Sequence, residues 1–336
     1  MILDLKEVKK ITLGAVSVTE DEGGFNFHRF TDEQEELYKK RLGEDCKKIF
    51  STSGVQLSFR TNSEELSIST CVTPGSSRQY FAFDVFSNGK KIGSLDNFSS
   101  EKLPRDYTCS EFSLGNFEKI FSLGQGEKDV CIYFPWSVKA TLKELRIDDN
   151  AFTKPMRPKN KLLCFGDSIT HGYDALYPSN KYISRLASFL SAEEINKAVG
   201  GEVFFPELAG AKEDFIPDYI SVAYGTNDWN CLCKKDFTKN CADFFENLKA
   251  NYPETKIFVI TPIWRKNYDE KRDFGDFDKV EKIIRDIVGK YENIKVISGF
   301  DLVPHDDRLF ADLRLHPNDE GFAYYFENLS KNIEFL

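Results

Sequence analysis

Lys161-Leu-Leu-Cys-Phe-Gly-Asp-Ser-Ile-Thr170 decides how this chain is read. An apolar run over 161–165 stops at a glycine, and a polar turn follows. A run this short, bounded by turn residues, is a buried strand rather than a helix. Downstream, segments of the two periodicities alternate. Residues 179–191 carry Tyr182, Ile183, Leu186, Phe189 and Leu190 at helical spacing. There follow a strand with a glycine stop over 219–225, an amphipathic helix over 236–252, a strand over 256–262, a helix over 276–291, a strand over 294–298 and a closing helix over 319–333. This alternation predicts a parallel sheet covered by helices on both faces, with its chemistry at the carboxyl ends of the strands.

Upstream the pattern is different. VQLSFRT (55–61) and ELSIST (65–70) alternate apolar and polar residues, and VCIYFPW (130–136) and ATLKELRID (140–148) continue the series. FAFDVFSNGKKIGSL (81–95) places Asn88-Gly89 between two strand-like runs, a two-residue hairpin signal. These features predict an all-β sandwich, jelly-roll-like. TDEQEELYKKRLG (31–43) stands apart as a short helix or an extended arm. AFTKPMRPKNK (151–161), with two Pro and four Lys or Arg, reads as a linker. It divides a sandwich domain over 1–153 from an α/β domain over 158–336. No internal repeat is present.

A chain of 336 residues with 41% hydrophobic and 29% charged residues has room for two ordinary cores. Its net charge of −9, with no block of Lys or Arg, argues against a nucleic-acid partner. The eight cysteines (46, 71, 109, 131, 164, 231, 233 and 241) follow no disulfide framework. Cys231, Cys233 and Cys241 do not complete a four-ligand metal set, and no metal or other cofactor is expected. Cys164, inside an apolar run, reads as a buried thiol. MILDLKEVKK lacks the apolar core of a signal peptide, and no run reaches the roughly 18 apolar residues of a membrane span. The expectation is a cytoplasmic protein with reduced thiols. Its oligomeric state stays open.

Four polar segments stand at the ends of these elements. Gly166-Asp167-Ser168 follows the first strand. Alone it reads as a helix cap, but a serine there becomes a nucleophile if a base and oxyanion donors are near. Asn196-Lys-Ala-Val-Gly-Gly201 ends in a glycine pair that lets a backbone N–H face a ligand. Gly225-Thr-Asn227-Asp228 follows another strand, and the Asn227 amide suits an oxyanion. Asp312-Leu-Arg-Leu-His316-Pro-Asn-Asp319 holds a histidine in non-helical backbone before proline, with an acid upstream. Asn318 and Asp319 read as the cap of the last helix; His316 has no such structural reading.

Taken in order, the four segments resemble the blocks of the SGNH, or GDSL, hydrolases, over roughly residues 158–336. The resemblance implies a flavodoxin-like three-layer α/β/α domain. It implies Ser168 as nucleophile, His316 as base, and an oxyanion hole from Ser168, Gly201 (or Gly200) and Asn227. The family's acid lies three residues before the histidine, which here is Leu313. Asp312, four before, is the candidate for a triad; otherwise a backbone carbonyl orients His316 in a Ser-His dyad. Asp167, His171, Trp229 and Trp264 are weaker candidates for the substrate pocket, and His305 reads as a loop residue. The sandwich in front resembles the layout of family 2 carbohydrate esterases. That implies a small-molecule substrate, an acetylated sugar or another short ester, and no membrane partner. Acyl transfer to an alcohol acceptor, or a catalytically silent carbohydrate-binding protein, are the alternatives.

Overall fold

The computed structural model describes residues 1–43, 46–98 and 106–333. In chain order the front part holds α1 (Leu5–Ile11), β1 (Thr12–Leu13), β2 (Ser17–Asp21), β3 (Gly24–His28) and α2 (Asp32–Leu42). Seven strands follow: β4 (Gln56–Thr61), β5 (Glu65–Pro74), β6 (Ala82–Ser87), β7 (Lys90–Asp96), β8 (Gly115–Ser122), β9 (Lys128–Tyr133) and β10 (Val138–Ile147). They make two antiparallel sheets, ordered β1-β4-β9-β6-β7 and β2-β3-β10-β5-β8. The alternating residues Leu66, Ile68 and Val72 of β5 meet Leu57, Phe59, Phe83 and Ile132 of the other sheet in one core. In β10 a register shift between Leu142 and Glu144 resets the alternation, so that Leu145 and Ile147 still point inward. The hairpin β6–β7 turns at Asn88-Gly89, both at positive φ.

The segment 31–43 carries α2 with its caps, not an extended arm. Thr31 and Gln34 close a capping box at its start, and three cations occupy its last turn. The linker segment is tied down. It contains β11 (Lys154–Pro155), which pairs with β4, and Met156 N–H donates to Ser58 O at 3.1 Å.

The second half begins with β12 (Asn160–Gly166), followed by α3 (Ser168–His171), α4 (Tyr182–Phe189), β13 (Ala192–Asn196), α5 (Pro206–Gly210) and β14 (Tyr219–Ala223). Then come α6 (Thr226–Cys231), α7 (Lys234–Asn251), β15 (Lys256–Ile260), α8 (Asp278–Val288), β16 (Ile294–Ile297) and α9 (Asp319–Ile333). Every pairing is parallel, in the order β13-β12-β14-β15-β16. Counted within this half, that is 2-1-3-4-5, the order of doubly wound flavodoxin-like sheets. The order reverses at β12, and the carboxyl ends of β13, β12 and β14 therefore open into one crevice. No helix among the described residues is long and apolar enough to cross a membrane.

The two halves share their cores. Tyr80, Phe98 and Trp136 from the front pack in one cluster with Leu162, Cys164, Tyr182 and Phe258. Phe30, Tyr38 and Ile49 do the same with Phe165, Val199, Phe205 and Phe244.

Candidate active site

β12 delivers its last residue, Gly166, to the sheet edge, and Asp167 caps the single turn α3 by accepting the Ile169 N–H at 2.9 Å. Ser168 is the first residue of that turn and is buried. Its Oγ lies 2.9 Å from His316 Nε2, although 148 residues separate the two in sequence. Burial pushes the Asp167 carboxyl up to about 6, against the pull of the Ile169 N–H and the His316 charge.

His316 comes from the loop before α9. Leu313, at the position where the resemblance expects an acid, instead takes left-handed backbone with φ 55°. That residue turns the chain so sharply that Asp312 Oδ1 accepts three N–H groups, from Arg314 at 3.0 Å, Leu315 at 2.8 Å and His316 at 3.1 Å. The other oxygen accepts His316 Nδ1–H at 2.8 Å. With the proton placed on Nδ1, Nε2 is free to accept the Ser168 hydroxyl. Burial raises the Asp312 carboxyl, but the hydrogen bond and charge of His316 and the backbone N–H groups outweigh it and hold the acid well below the usual carboxylate range.

A second carboxylate stands behind the ring, and no sequence pattern signals it. Asp174 is fully buried, and its Oδ2 lies 3.4 Å from His316 Nδ1. Arg78 and Tyr80, both from the sandwich, hydrogen-bond to it. Nearby, Trp136 Nε1 donates to Ala175 O at 2.8 Å, and the Tyr173 ring lies over His316 at 5.6 Å. Asp174, Asp312 and His316 are also the grouping that could hold a cation among the described residues, with ligand atoms within 4.8 Å of one another. Their atoms face Arg78, backbone N–H groups and Ser168 instead, and Arg78 already supplies the positive charge.

The glycine pair after β13 divides its tasks. A Cβ on Gly200 would sit 2.5 Å from the Tyr173 ring, so close packing excludes any side chain there. Gly201 has φ +87°, and a Cβ there would meet Lys48 Nζ at an unstrained 3.6 Å. Val199 N–H donates to Gly166 O and Glu202 N–H to Val199 O, whereas the N–H groups of Ser168 and Gly201 make no backbone hydrogen bond among the described residues. Asn227 uses one amide hydrogen on Glu202 O at 2.9 Å, which ties the segment after β14 to this loop and leaves the second hydrogen. Two front-domain cations hold the same loop. Lys48 donates to Gly200 O at 2.7 Å, and the buried Arg29 donates to Asn196 O at 2.6 Å and Ala198 O at 3.2 Å.

The other candidates are engaged in packing. His171 is neither a pocket wall nor a surface residue. It is fully buried between the halves, with Nε2 near Ser51 Oγ and Trp136 O, each at 2.9 Å. Burial drives its imidazole well below the usual range, which keeps the ring neutral. Trp229 is also core: Nε1 donates to Gly275 O at 2.8 Å, and the ring meets Phe277. Trp264 stacks on His305 at 5.3 Å and packs against Phe310. His305 lies in the loop after β16 and points Nε2 at Phe300 O. Cys164 is a buried free thiol, and the eight cysteines are all unpaired.

Comparison with known proteins bears on the fold around these residues. The GDSL-like lipase/acylhydrolase family profile matches residues 164–324. No curated protein matches the chain by sequence. Among solved structures, the salicylyl-acyltransferase SsfX3 from a tetracycline biosynthetic pathway superposes with a TM-score of 0.79 at 20% identity, covering 96% of this chain and 93% of its own. A Bacteroides ovatus protein described as a GDSL-like lipase gives 0.76 at 20% identity, covering 100% and 97%. A family 2 carbohydrate esterase of Corynascus thermopiles (Myceliophthora fergusii), with its carbohydrate-binding domain, gives 0.62 at 17% identity, covering 84% and 94%. At such identities the likeness is one of fold, and it extends over both halves. Residues 164–324, which include Ser168, Gly201, Asn227, Asp312 and His316, thus carry the likeness to the GDSL-like lipase/acylhydrolase family.

Proposed function

We propose that the protein is a serine esterase for short acyl esters, acetyl esters foremost, with O-acetylated carbohydrate as its substrate class. Ser168, His316 and Asp312 act as nucleophile, base and orienting acid. The observation that carries this reading is the unbroken line from Ser168 Oγ to His316 Nε2 at 2.9 Å and from His316 Nδ1 to Asp312 Oδ2 at 2.8 Å. His316 takes the hydroxyl proton as Ser168 attacks the ester carbonyl. The N–H groups of Ser168 and Gly201 and the free amide hydrogen of Asn227 receive the oxyanion. His316 then protonates the departing alcohol, and a water activated by the same ring releases the acid from the acyl-serine. The sugar substrate is supported by the family 2 esterase layout, with a sandwich packed against the hydrolase. The free thiols support a cytoplasmic location. One observation favours a second reading: the salicylyl-acyltransferase shares the fold over almost the whole chain. An alcohol would then replace water in the second step, on the same acyl-serine.

Turnover of p-nitrophenyl acetate, butyrate and octanoate by wild type and Ser168→Ala tests both readings. The acetyl ester should be preferred, and the variant should lose about a thousandfold or more. Equal turnover by wild type and variant removes the serine mechanism. A strong octanoyl preference removes the acetyl assignment. Acetyl recovered on an added alcohol, at the expense of free acetate, favours transfer.

A further inference from the structure

Asp174 is a buried acid that the ester mechanism leaves unused. Its backbone sits at φ 68°, a left-handed conformation that Asp tolerates better than most residues. At 3.4 Å its Oδ2 is beyond a good hydrogen bond to His316 Nδ1, but well within reach of a charge on that ring. Arg78 grips the same carboxylate as a fork, Nε to Oδ1 at 2.6 Å and Nη2 to Oδ2 at 3.0 Å, across 96 residues of sequence. Tyr80 OH adds a bond to Oδ1 at 3.2 Å.

We infer that Arg78 is a positioning residue of the esterase site, which reaches from the sandwich to balance the Asp174 charge and so governs how readily His316 takes the Ser168 proton. This rests on the roles given to Ser168 and His316 above. A general base must be neutral before reaction and cationic in the transition state. Asp312 stabilises that cation. A second, unbalanced carboxylate at 3.4 Å would favour the cationic ring before substrate arrives as well as in the transition state. Paired with Arg78, Asp174 presents a nearly neutral group to the ring.

The other groups around the ring are already committed. On its own loop, Asp312 holds Nδ1, and Arg314 turns toward Asn267. The α3 turn contributes Asp167, on which Arg265 also acts, and the Tyr173 ring. From the front part, Tyr107 OH reaches Asp174 O at 3.5 Å. At the start of α9, Asp319 is occupied by Leu176 N–H and Asn180.

The test is the pH profile of kcat/KM for p-nitrophenyl acetate from pH 5 to 9.5. Arg78→Gln should move the acid limb upward by about one to two pH units and recover turnover on the alkaline side. Asp174→Asn should move it downward, and the double variant should return close to wild type, because the two charges leave together. Arg78→Lys, which keeps the charge but not the fork, should shift the limb less than Arg78→Gln. A uniform loss of kcat at every pH, with the acid limb unmoved, overturns the inference and leaves Arg78 a structural residue. If Arg78→Gln does not fold, Asp174→Asn alone decides, and an unmoved limb overturns it equally. Ser168→Ala and His316→Ala separate the two levels. Inactive controls with an unmoved limb refute only the role of Arg78, whereas active controls refute the assigned nucleophile and base.

Discussion

At His316 two carboxylates compete for one ring hydrogen, and distance decides between them: 2.8 Å to Asp312 against 3.4 Å to Asp174. Asp312 also carries three backbone N–H bonds on its other oxygen, so it is fixed before the ring is. Asp312→Asn would offer Nδ1 an amide hydrogen and select the wrong tautomer, and turnover should fall about 10³- to 10⁴-fold. Near-normal kcat in that variant would sink the triad and leave a Ser-His dyad. Ser168, Asn227 and His316 stand out in sequence because each follows a recognisable strand or precedes a capped helix. The reach of Asp312 was obscured by Leu313, whose left-handed backbone no spacing rule foresees. Asp174 and Arg78 were invisible, since neither lies in a local pattern and only the fold joins them.

Between elements, the buried pair Lys181–Glu194 joins α4 to β13 at 2.8 Å, with both side chains almost fully inaccessible. Ser184 and Asn196 complete the shell around Glu194, and Asn196 also donates to Thr170 O in α3. Burial alone would raise the Glu194 carboxyl, but Lys181 and these donors outweigh it and hold it below its ordinary value. A folded-state value below the unfolded one stabilises the protein above the carboxylate range and is lost as pH falls through it. Lys181→Met should cost about 3–5 kcal/mol at pH 7, by leaving a buried charge unpaired. The cost should shrink at acid pH, where the carboxyl left unpaired in the variant can take up a proton. Urea unfolding at both pH values checks this, and equal costs would remove the charge argument. Elements with strong periodicity, such as α7, α8 and β5, were readable in sequence. β2 and β8 were not, because each buries one residue and exposes most of the others, so no alternation marks them.

For the whole molecule, composition suggested two domains and a linker, yet Trp136, Tyr80 and Phe98 lie in the same apolar cluster as Leu162 and Tyr182. A chain of residues 158–336 alone would expose that surface and lose Arg29, Lys48 and Arg78. It should bind hydrophobic dye, lack a cooperative melt and show no esterase turnover. A fragment with a native-like melt and full activity would refute this dependence. Sequence alone could not show it, because apolar residues that meet across halves look the same as those that meet within one.

The bonds from Trp136 to Ala175 and from Arg78 to Asp174 bind the loop behind His316 directly to the sandwich. Any displacement of the sandwich is therefore passed straight to the segment that backs His316.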